Sequence, residues 1–236
     1  MTTATVKRRV RVVVDSDPMD PREWDCASRM ICWHSRYNLG DDHDYACDNF
    51  MRELASEADD SLEDELYRLE NEVWDRLTNY IGCTDRAHEL VDNKIKALVE
   101  KTVRDGYLIL PLYLMDHSGI SMSTGSFGCP WDSGQVGYII CDNETIQREW
   151  GGDREAAEKY LRADVAIYDA YISGNVYGFI VEERDESDCP HCGHTPDWVE
   201  VDSCWGFFGD DPRTNGMADH LGDEELVCMA CDAVVE

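Results

Sequence analysis

The segment YLILPLYLMD, residues 107–116, marks the point where the chain changes from helical to extended periodicity. Its apolar residues run almost without interruption, which is typical of a strand buried on both faces. ISMST at 120–124 is a candidate short strand, and QVGYIICD at 135–142 is a further apolar strand. Strands grouped in this way, without a helix between each pair, favour an α+β fold.

Amphipathic helices precede these strands. Residues 60–80 place one apolar residue every three or four positions, opposite a face of exposed acids that includes Asp64, Glu65, Glu72 and Asp75; the apolar positions are Leu62, Leu66, Leu69, Val73 and Leu77. Residues 84–104 predict a second helix by the same rule, with Leu90, Ile95, Leu98 and Val99 turned inward. This spacing is that of a helix with one buried face.

Further helices are predicted on either side of this region. Asp20 and Pro21 form a helix start, and the segment PREWDCASRMICWHSRYN at 21–38 predicts a helix behind them. After QVGYIICD, the segment ETIQREW at 144–150 predicts a short helix. A long helix follows, capped by Asp153 and closed by Gly174.

Strands are also predicted near both ends of the chain, at KRRVRVVVD (7–15), VYGFIVEER (176–184) and WVEVDSCWGFFG (198–209). In the first of them Val10, Val12 and Val14 alternate toward one face. The sequence therefore predicts an α+β fold with a mostly antiparallel sheet and helices packed on one side. We expect a main domain at 1–183, with 198–210 as its last strand, and a C-terminal element at 184–236.

The chain is strongly acidic, with 50 Asp and Glu residues against 21 Lys and Arg and a net charge of −29. Residues 41–75 hold 14 acids and two arginines, and residues 182–236 hold 16 acids and two arginines. Such a charge argues against direct binding of nucleic acid, because phosphates are repelled. Three interpretations stay open: a solvated surface, a docking face for a basic protein partner, or mimicry of nucleic acid by carboxylates.

The sequence predicts a cytoplasmic protein. It has no apolar run of about 18 residues, the length that a membrane-spanning helix needs, and its first residues lack the pattern of a secretory signal. Its 11 cysteines are an odd number. In a chain without a secretory signal, we expect them to be reduced thiols or metal ligands and not disulfides.

A zinc site is predicted near the C-terminus. CPHC at 189–192 and CMAC at 228–231 form two C-x2-C pairs, and 35 residues separate them. Four thiolates from two such pairs complete a closed tetrahedral zinc site, which is structural because no coordination position is open. The predicted ligands are Cys189, Cys192, Cys228 and Cys231, in a zinc-ribbon-like element.

The polar loop at 116–135 is a candidate active site. His117 is placed to activate Cys129 or Ser133 as a nucleophile, with Asp116 or Asp132 orienting the histidine. That arrangement would make a small hydrolase or transferase. The alternative is plain packing, since Asp and Ser cap turns while Trp and Cys fill cores.

A binding pocket is the third possibility for these residues. Pro130 restricts the backbone around it, and Ser133-Gly134 permits a sharp turn into the next strand, which would present Trp131 and Asp132 together. A buried carboxylate needs partners. We expect a pocket that unites the side chains of Trp33, His34, Trp131, Asp132 and Trp205, with His117 bonded to Asp132 in preference to Cys129.

Three segments carry a resemblance to a known group of proteins. They are DPREWDCASRMICWHSRYNLGD (20–41), LYLMDHSGISMSTGSFGCPWDSGQVGYI (112–139) and VDSCWGFFGD (201–210). In these segments the chain resembles a family of uncharacterised proteins of bacteriophages and mobile elements. The resemblance covers about residues 10–40, 107–180 and 200–210, and does not include the cysteine pairs. The resemblance implies that the protein originates from a phage or mobile element, and it implies no catalytic or binding chemistry.

Together these observations predict an accessory protein of a phage or mobile element that acts in the host cytoplasm. Its expected partner is a basic or nucleic-acid-binding host or defence protein, bound through the acidic surface. The hydrolase or transferase is the alternative function.

Overall fold

The structure, a computed structural model, describes residues 6–73, 75, 84–185, 191–221 and 226–228. The strands in this part of the chain are β1 Val6–Val14, β2 Arg29–Cys32, β3 Tyr107–Asp116, β4 Ile120–Ser123, β5 Ser133–Asp142, β6 Val176–Asp185, β7 Val199–Phe208 and β8 Leu226–Cys228. The helices are α1 Phe50–Ala58, α2 Leu62–Arg68, α3 Thr84–Gly106, α4 Asn143–Trp150 and α5 Arg154–Ile172. Short helical turns lie at Pro21–Glu23, Leu69–Val73 and Met217–His220. No helix in the described ranges is long and apolar enough to cross a membrane.

The strands form two four-stranded sheets, with the orders β7-β6-β1-β8 and β2-β5-β3-β4. The pairs β1–β6, β6–β7 and β2–β5 are antiparallel, whereas β8 runs parallel to β1. This confirms the mixed α+β class and the antiparallel character, although the strands are divided between two sheets and do not form one.

The chain divides into two compact units. The terminal unit comprises the described parts of residues 1–24, 115–122 and 166–236, and the central unit comprises those of 25–114 and 123–165. In the terminal unit, side chains of β1, β6 and β7 enclose a core with the turn at Met217; its buried members are Val10, Phe179, Val181, Phe207 and Met217. Val12 packs against this core, but Val14 at the strand end is 60% exposed, so the alternation buries only part of β1.

The core of the central unit lies between α1, α2, α3 and the strands β2, β3 and β5; its buried members include Ile31, Phe50, Leu54, Leu62, Leu66, Val99, Val103, Tyr107 and Ile140. Gly137 of β5 permits the close approach of β2, because a Cβ there would collide with the carbonyl oxygen of Ile31. Cys32 lies opposite Gly137 in the antiparallel register. A larger residue at 137 would therefore push the two strands apart.

The two helices predicted after β5 and the one predicted at 84–104 are confirmed. The carboxylate of Asp142 accepts a hydrogen bond from the backbone N–H of Thr145 at 2.7 Å and caps α4. Asp153 caps α5 in the same way, accepting from the N–H groups of Glu155 and Ala156. These side chains satisfy helix N–H groups that have no partner within the helix.

The predicted helix at 21–38 is wrong. Only Pro21–Glu23 is helical, as a single turn, and residues 29–32 form strand β2, which pairs with β5. Met30, Ile31 and Cys32 are all buried. Three consecutive buried residues suit a strand that is covered on both faces, and pairing with β5 outweighs the helical spacing of Trp24, Ala27 and Ile31.

The acidic helix predicted at 60–80 is confirmed in part: Leu62–Arg68 is α-helical and Leu69–Val73 continues it as a wider helical turn, while Leu69, predicted buried, and Glu65, predicted exposed, are both half-buried. Leu62 and Leu66 are each 1% exposed, while Asp64 and Asp75 face solvent. Leu77 lies outside the described residues, and nothing is described of the Val73 side chain. In α3 the inward position predicted for Leu90 is wrong, because this side chain is 37% exposed and the neighbouring Val91 is buried instead.

Candidate functional site

The loop between β2 and α1 is held closed by its two ends. The backbone N–H of Asp41 donates to the carbonyl of Met30 at 2.8 Å, and the N–H of Met30 donates to Asp41 Oδ2 at 2.7 Å. Gly40 has a φ of +73° and lies against the same carbonyl, leaving no room for a Cβ. Residues 33–40 are therefore pinned at the base as one closed loop.

Three aromatic side chains of this segment are oriented by backbone groups. His34 Nδ1 accepts from the N–H groups of Arg36 and Tyr37 at 3.3 and 3.2 Å. His43 Nε2 bonds the carbonyl of Cys32 at 3.0 Å, so this nitrogen carries the proton. The indole N–H of Trp33 donates to the carbonyl of Tyr45 at 2.9 Å. The rings are thus held in place before any ligand arrives.

A cavity of about 490 Å³ lies inside this loop. The rings of Trp33, His34, Tyr37 and His43 line it, together with the carboxylates of Asp41 and Asp42. The remaining lining residues are Cys32, Ser35, Asn38 and Leu39. Trp33 and His34, both predicted as pocket residues, do share this cavity.

Two further depressions continue from the cavity across the central unit. The first depression, of about 340 Å³, shares Asp41, Asp42 and His43 with the cavity. The second depression, of about 660 Å³, lies along α1 and shares Glu53 with the first depression. We name the three together the acidic furrow; its acids are Asp41, Asp42, Asp44, Glu53, Glu57 and Glu63. The arginines that line it are Arg29 and Arg52.

Two of the furrow acids are neutralised. Glu63 accepts a hydrogen bond from Arg52 at 2.7 Å, which lowers the pKa of this carboxyl below its ordinary value. Glu57 accepts from Arg29 at 3.3 Å and from the phenol of Tyr107 at 3.2 Å, and the phenol of Tyr45 also donates to it. Burial, followed by the adjacent carboxylate, raises the pKa of both phenols, that of Tyr107 to about 12.

Three other furrow acids keep their charge without a partner. The side chains of Asp42, Asp44 and Glu53 are exposed and make no hydrogen bond or ion pair within the described part of the chain. The furrow therefore combines an excess of negative charge with rigid aromatic walls. Such a surface attracts cations and repels phosphates.

The predicted nucleophiles make local contacts. The thiol of Cys129 donates to Asp132 Oδ2 at 3.4 Å, and the hydroxyl of Ser133 donates to the carbonyl of Cys129 at 2.5 Å. A carbonyl oxygen takes no proton from a hydroxyl, so this contact does not provide Ser133 with a general base. His117 lies in the β3–β4 turn, exposed, within the terminal unit. The hydrolase or transferase stays a prediction.

The other predicted pocket residues are dispersed. Trp131 is 92% exposed, so it does not wall an enclosed pocket as predicted; the turn before β5 carries its indole into solvent. Trp205 is 48% exposed and belongs to the terminal unit, where its ring covers Gly178 of β6. Asp132 is engaged with Cys129.

The four predicted zinc ligands are described only in part. Cys192 is exposed, Cys228 ends β8 beside Val12 of β1, and Cys189 and Cys231 lie outside the described residues. Within the described ranges, no group of three His, Cys, Asp or Glu residues is arranged to hold a metal ion. The chain leaves β6 at Asp185, which pairs with Val6, six residues along β1 from Val12. At about 3.3 Å per residue this is a span of about 20 Å along β1 between the end of β6 and the position of Cys228.

Sequence reasoning missed most of the furrow. Asp42, Asp44, Glu53 and Tyr37 were not singled out as site residues, although the acidic block at 41–75 begins directly after CWHSRYNLG. The adjacency of an aromatic-rich segment and an acidic block was the signal that could have found them.

The chain matches no family model, no curated protein and no solved structure.

Proposed function

We propose that the protein is a non-enzymatic accessory protein of a phage or mobile element that binds a basic, nucleic-acid-binding host or defence protein in the host cytoplasm. The acidic furrow is the surface that makes this contact, with carboxylates in the places that the partner reserves for phosphates. The observation that carries the proposal is a set of exposed carboxylates, Asp42, Asp44 and Glu53, which have no partner among the described residues and lie beside preformed aromatic walls.

The furrow is better suited to a partner than an ordinary solvated surface is. Its walls are oriented by backbone hydrogen bonds from His34, Trp33 and His43. A surface that serves solubility alone needs no such fixed geometry. Unpaired like charges held close together destabilise a fold slightly, and a cationic partner relieves that repulsion.

The test is binding of a labelled Arg- and Lys-rich peptide by isothermal titration. We expect a dissociation constant that rises steeply with salt, because exposed charge pairs are screened within about 10 Å at 0.1 M salt. The variant Asp42→Asn/Asp44→Asn/Glu53→Gln should bind about tenfold more weakly, since it removes three attractive charges.

A matched control removes the same three charges elsewhere on the central unit. Asp85, Glu89 and Asp92 are exposed on α3, and Asp85→Asn/Glu89→Gln/Asp92→Asn changes the net charge equally. If both triple variants weaken binding to the same extent, the acidity acts as a diffuse field and the furrow is not the docking site.

A structural zinc ion bound by Cys189, Cys192, Cys228 and Cys231 is the second part of the proposal. It is supported by the paired C-x2-C spacing, and it would tie the segment around Cys192 to β8 at the edge of the first sheet. Four thiolates leave no open position, so the ion would stabilise the C-terminal region and take no part in a reaction.

Elemental analysis of the gently purified protein should give one zinc per chain, and chelation should expose the C-terminal region to protease first. The Cys189→Ser/Cys228→Ser variant should retain none. Full zinc content in that variant would show that the ion is bound by other residues.

A further inference from the structure

The cavity inside the 33–40 loop differs in chemistry from the rest of the acidic furrow. Of the furrow's three depressions it is the one without an arginine in its lining, and it has two carboxylates and four aromatic rings. The other two depressions contain Arg29 and Arg52, each bonded to a furrow acid. No arginine lines the cavity itself, but Arg36 of the same loop lies 5.7 Å from the centroid of the Tyr37 ring and donates to its hydroxyl at 3.5 Å, so an incoming cation replaces this contact or uses the other rings.

We propose that this cavity receives an arginine side chain of the basic partner and so gives the furrow its specificity. The inference rests on the proposed function, because it names the residue type that the furrow recognises. Four aromatic rings and the carboxylates of Asp41 and Asp42 form the receptor for the guanidinium.

The ring geometry favours a flat cation. His34 and Tyr37 are stacked with centroids 5.0 Å apart and planes within 9° of each other. Trp33 and His43 meet edge to face, with centroids 5.3 Å apart. A guanidinium is planar and weakly hydrated, so it stacks on aromatic faces more readily than the compact ammonium of lysine does.

The hydrogen-bonding groups of the cavity also match a donor. Asp42 has no partner in the described chain, and Asp41 uses Oδ2 for the Met30 N–H. The N–H groups of Trp33 and His43 are used by the carbonyls of Tyr45 and Cys32. Arginine is the residue whose five N–H donors and fork geometry fit a carboxylate with two oxygens available.

The size agrees with this occupant. About 490 Å³ lies within the range of cavities that bind small ligands, roughly 300–1,000 Å³. It holds an arginine side chain with part of its backbone, while the flanking residues of the partner continue along Asp44 and Glu53.

The experiment compares two peptides of equal charge. One alternates arginine with glycine, and its twin alternates lysine with glycine; both are titrated into the full chain at low salt. We expect the arginine peptide to bind about five- to tenfold more tightly, since stacking adds to the charge attraction that both share.

Three variants test which side chains cause the preference for the arginine peptide. Tyr37→Leu keeps every charge and should lower the affinity of the arginine peptide about fivefold while leaving the lysine peptide unchanged. Asp42→Asn should remove most of the preference for arginine. Asp44→Asn removes the same charge from the furrow outside the cavity, and should weaken both peptides equally. Circular dichroism verifies that each variant is folded.

The outcomes separate this inference from the proposed function. Equal affinity for the two peptides, or a preference that survives both Tyr37→Leu and Asp42→Asn, overturns the arginine site and leaves the furrow as a docking surface. If neither peptide binds, the furrow itself is not a site for basic partners, and the arginine site fails with it.

Discussion

The acids of β6 and the acids of the furrow have opposite electrostatic environments. Glu182 of β6 accepts a hydrogen bond from Arg9 at 2.7 Å, lies 3.9 Å from Arg11, and has a side chain only 15% exposed. In the furrow, Asp42 and Asp44 face solvent, and no cation in the described part of the chain contacts them. Carboxylates on one chain thus serve two purposes: some hold strands together, and others are left available.

Sequence position explains the difference. The first 40 residues hold seven Lys and Arg, and β1 brings Arg8, Arg9 and Arg11 against β6, more than 160 residues away. Residues 41–75 contain only two arginines, and Arg52 is engaged by Glu63. The furrow acids have too few local bases to be neutralised, so their charge is retained at the surface.

The largest loss of stability is expected for the buried ring that supports the aromatic walls of the furrow. Phe50 is 1% exposed, and its ring lies 5.1 Å from Trp33 and 5.3 Å from both Tyr45 and Tyr138. Phe50→Ala should lower the free energy of unfolding by about 3–5 kcal/mol, and should weaken peptide binding because the furrow walls lose their support. Urea titration measures the free energy of unfolding, and Tyr67→Ala, at an exposed position, is the control. Unchanged binding would separate the furrow from this aromatic cluster.

A smaller loss is expected from the paired acid of β6. Glu182→Gln removes one charged partner of the partly buried Arg9 and Arg11, and should lower the free energy of unfolding by about 2 kcal/mol. Glu183→Gln is the control, since its contact with Arg8 is 3.8 Å long and both side chains are over 40% exposed; we expect about 0.5 kcal/mol or less. Equal effects in urea titrations would mean that burial does not distinguish the two pairs.

Glu57 is an intermediate case, held by phenols as well as by Arg29, and it predicts a pH dependence. The pKa of Tyr107 is raised to about 12 by burial and then by Glu57. A raised pKa stabilises the fold fully below the phenol's ordinary value near 10, and this contribution is lost as pH rises from about 10 to 12. The wild type should therefore lose more stability than Tyr107→Phe over that interval, by about 1 kcal/mol. Parallel losses in both proteins would contradict the assignment.

The smallest expected change in the free energy of unfolding has the opposite sign, because it is an increase in stability. Asp42→Asn/Asp44→Asn/Glu53→Gln removes repulsion between unpartnered acids, and should raise the free energy of unfolding by a few tenths of a kcal/mol at low salt. The gain should disappear at high salt, where these charges are screened. Glu63→Gln, which breaks the pair with Arg52, should instead be neutral or slightly destabilising. A loss of stability in the triple variant would mean that these acids are structural.

Much of the fold was predictable because its signals are local. The strands at 107–116 and 176–185 and the helix starts at Asp142 and Asp153 follow from apolar runs and capping residues within a few positions. The segment at 29–32 was mistaken for helix because its spacing is compatible with one. Only its pairing with β5 makes it a strand.

The candidate site was predictable only in part. Trp33 and His34 were singled out by their residue types and do share a cavity, but Trp131 and Trp205 were chosen on the same grounds and are not among its lining residues. Residue type does not specify which loops converge, since convergence depends on strand order and register. The zinc ligands and the catalytic alternative stay predictions.

The amino-acid sequence by itself determined the acidity, the buried strands, the acidic amphipathic helix and the paired cysteine spacing, because each depends on composition or on neighbours along the chain. Tertiary structure decided which acids are neutralised and which are not. Arg9 reaches Glu182 across 173 positions, and Arg29 reaches Glu57 across 28, whereas no base of the described residues is brought to Asp42 or Asp44. Coulomb attraction depends on distance in space, and strand pairing sets that distance independently of separation along the chain.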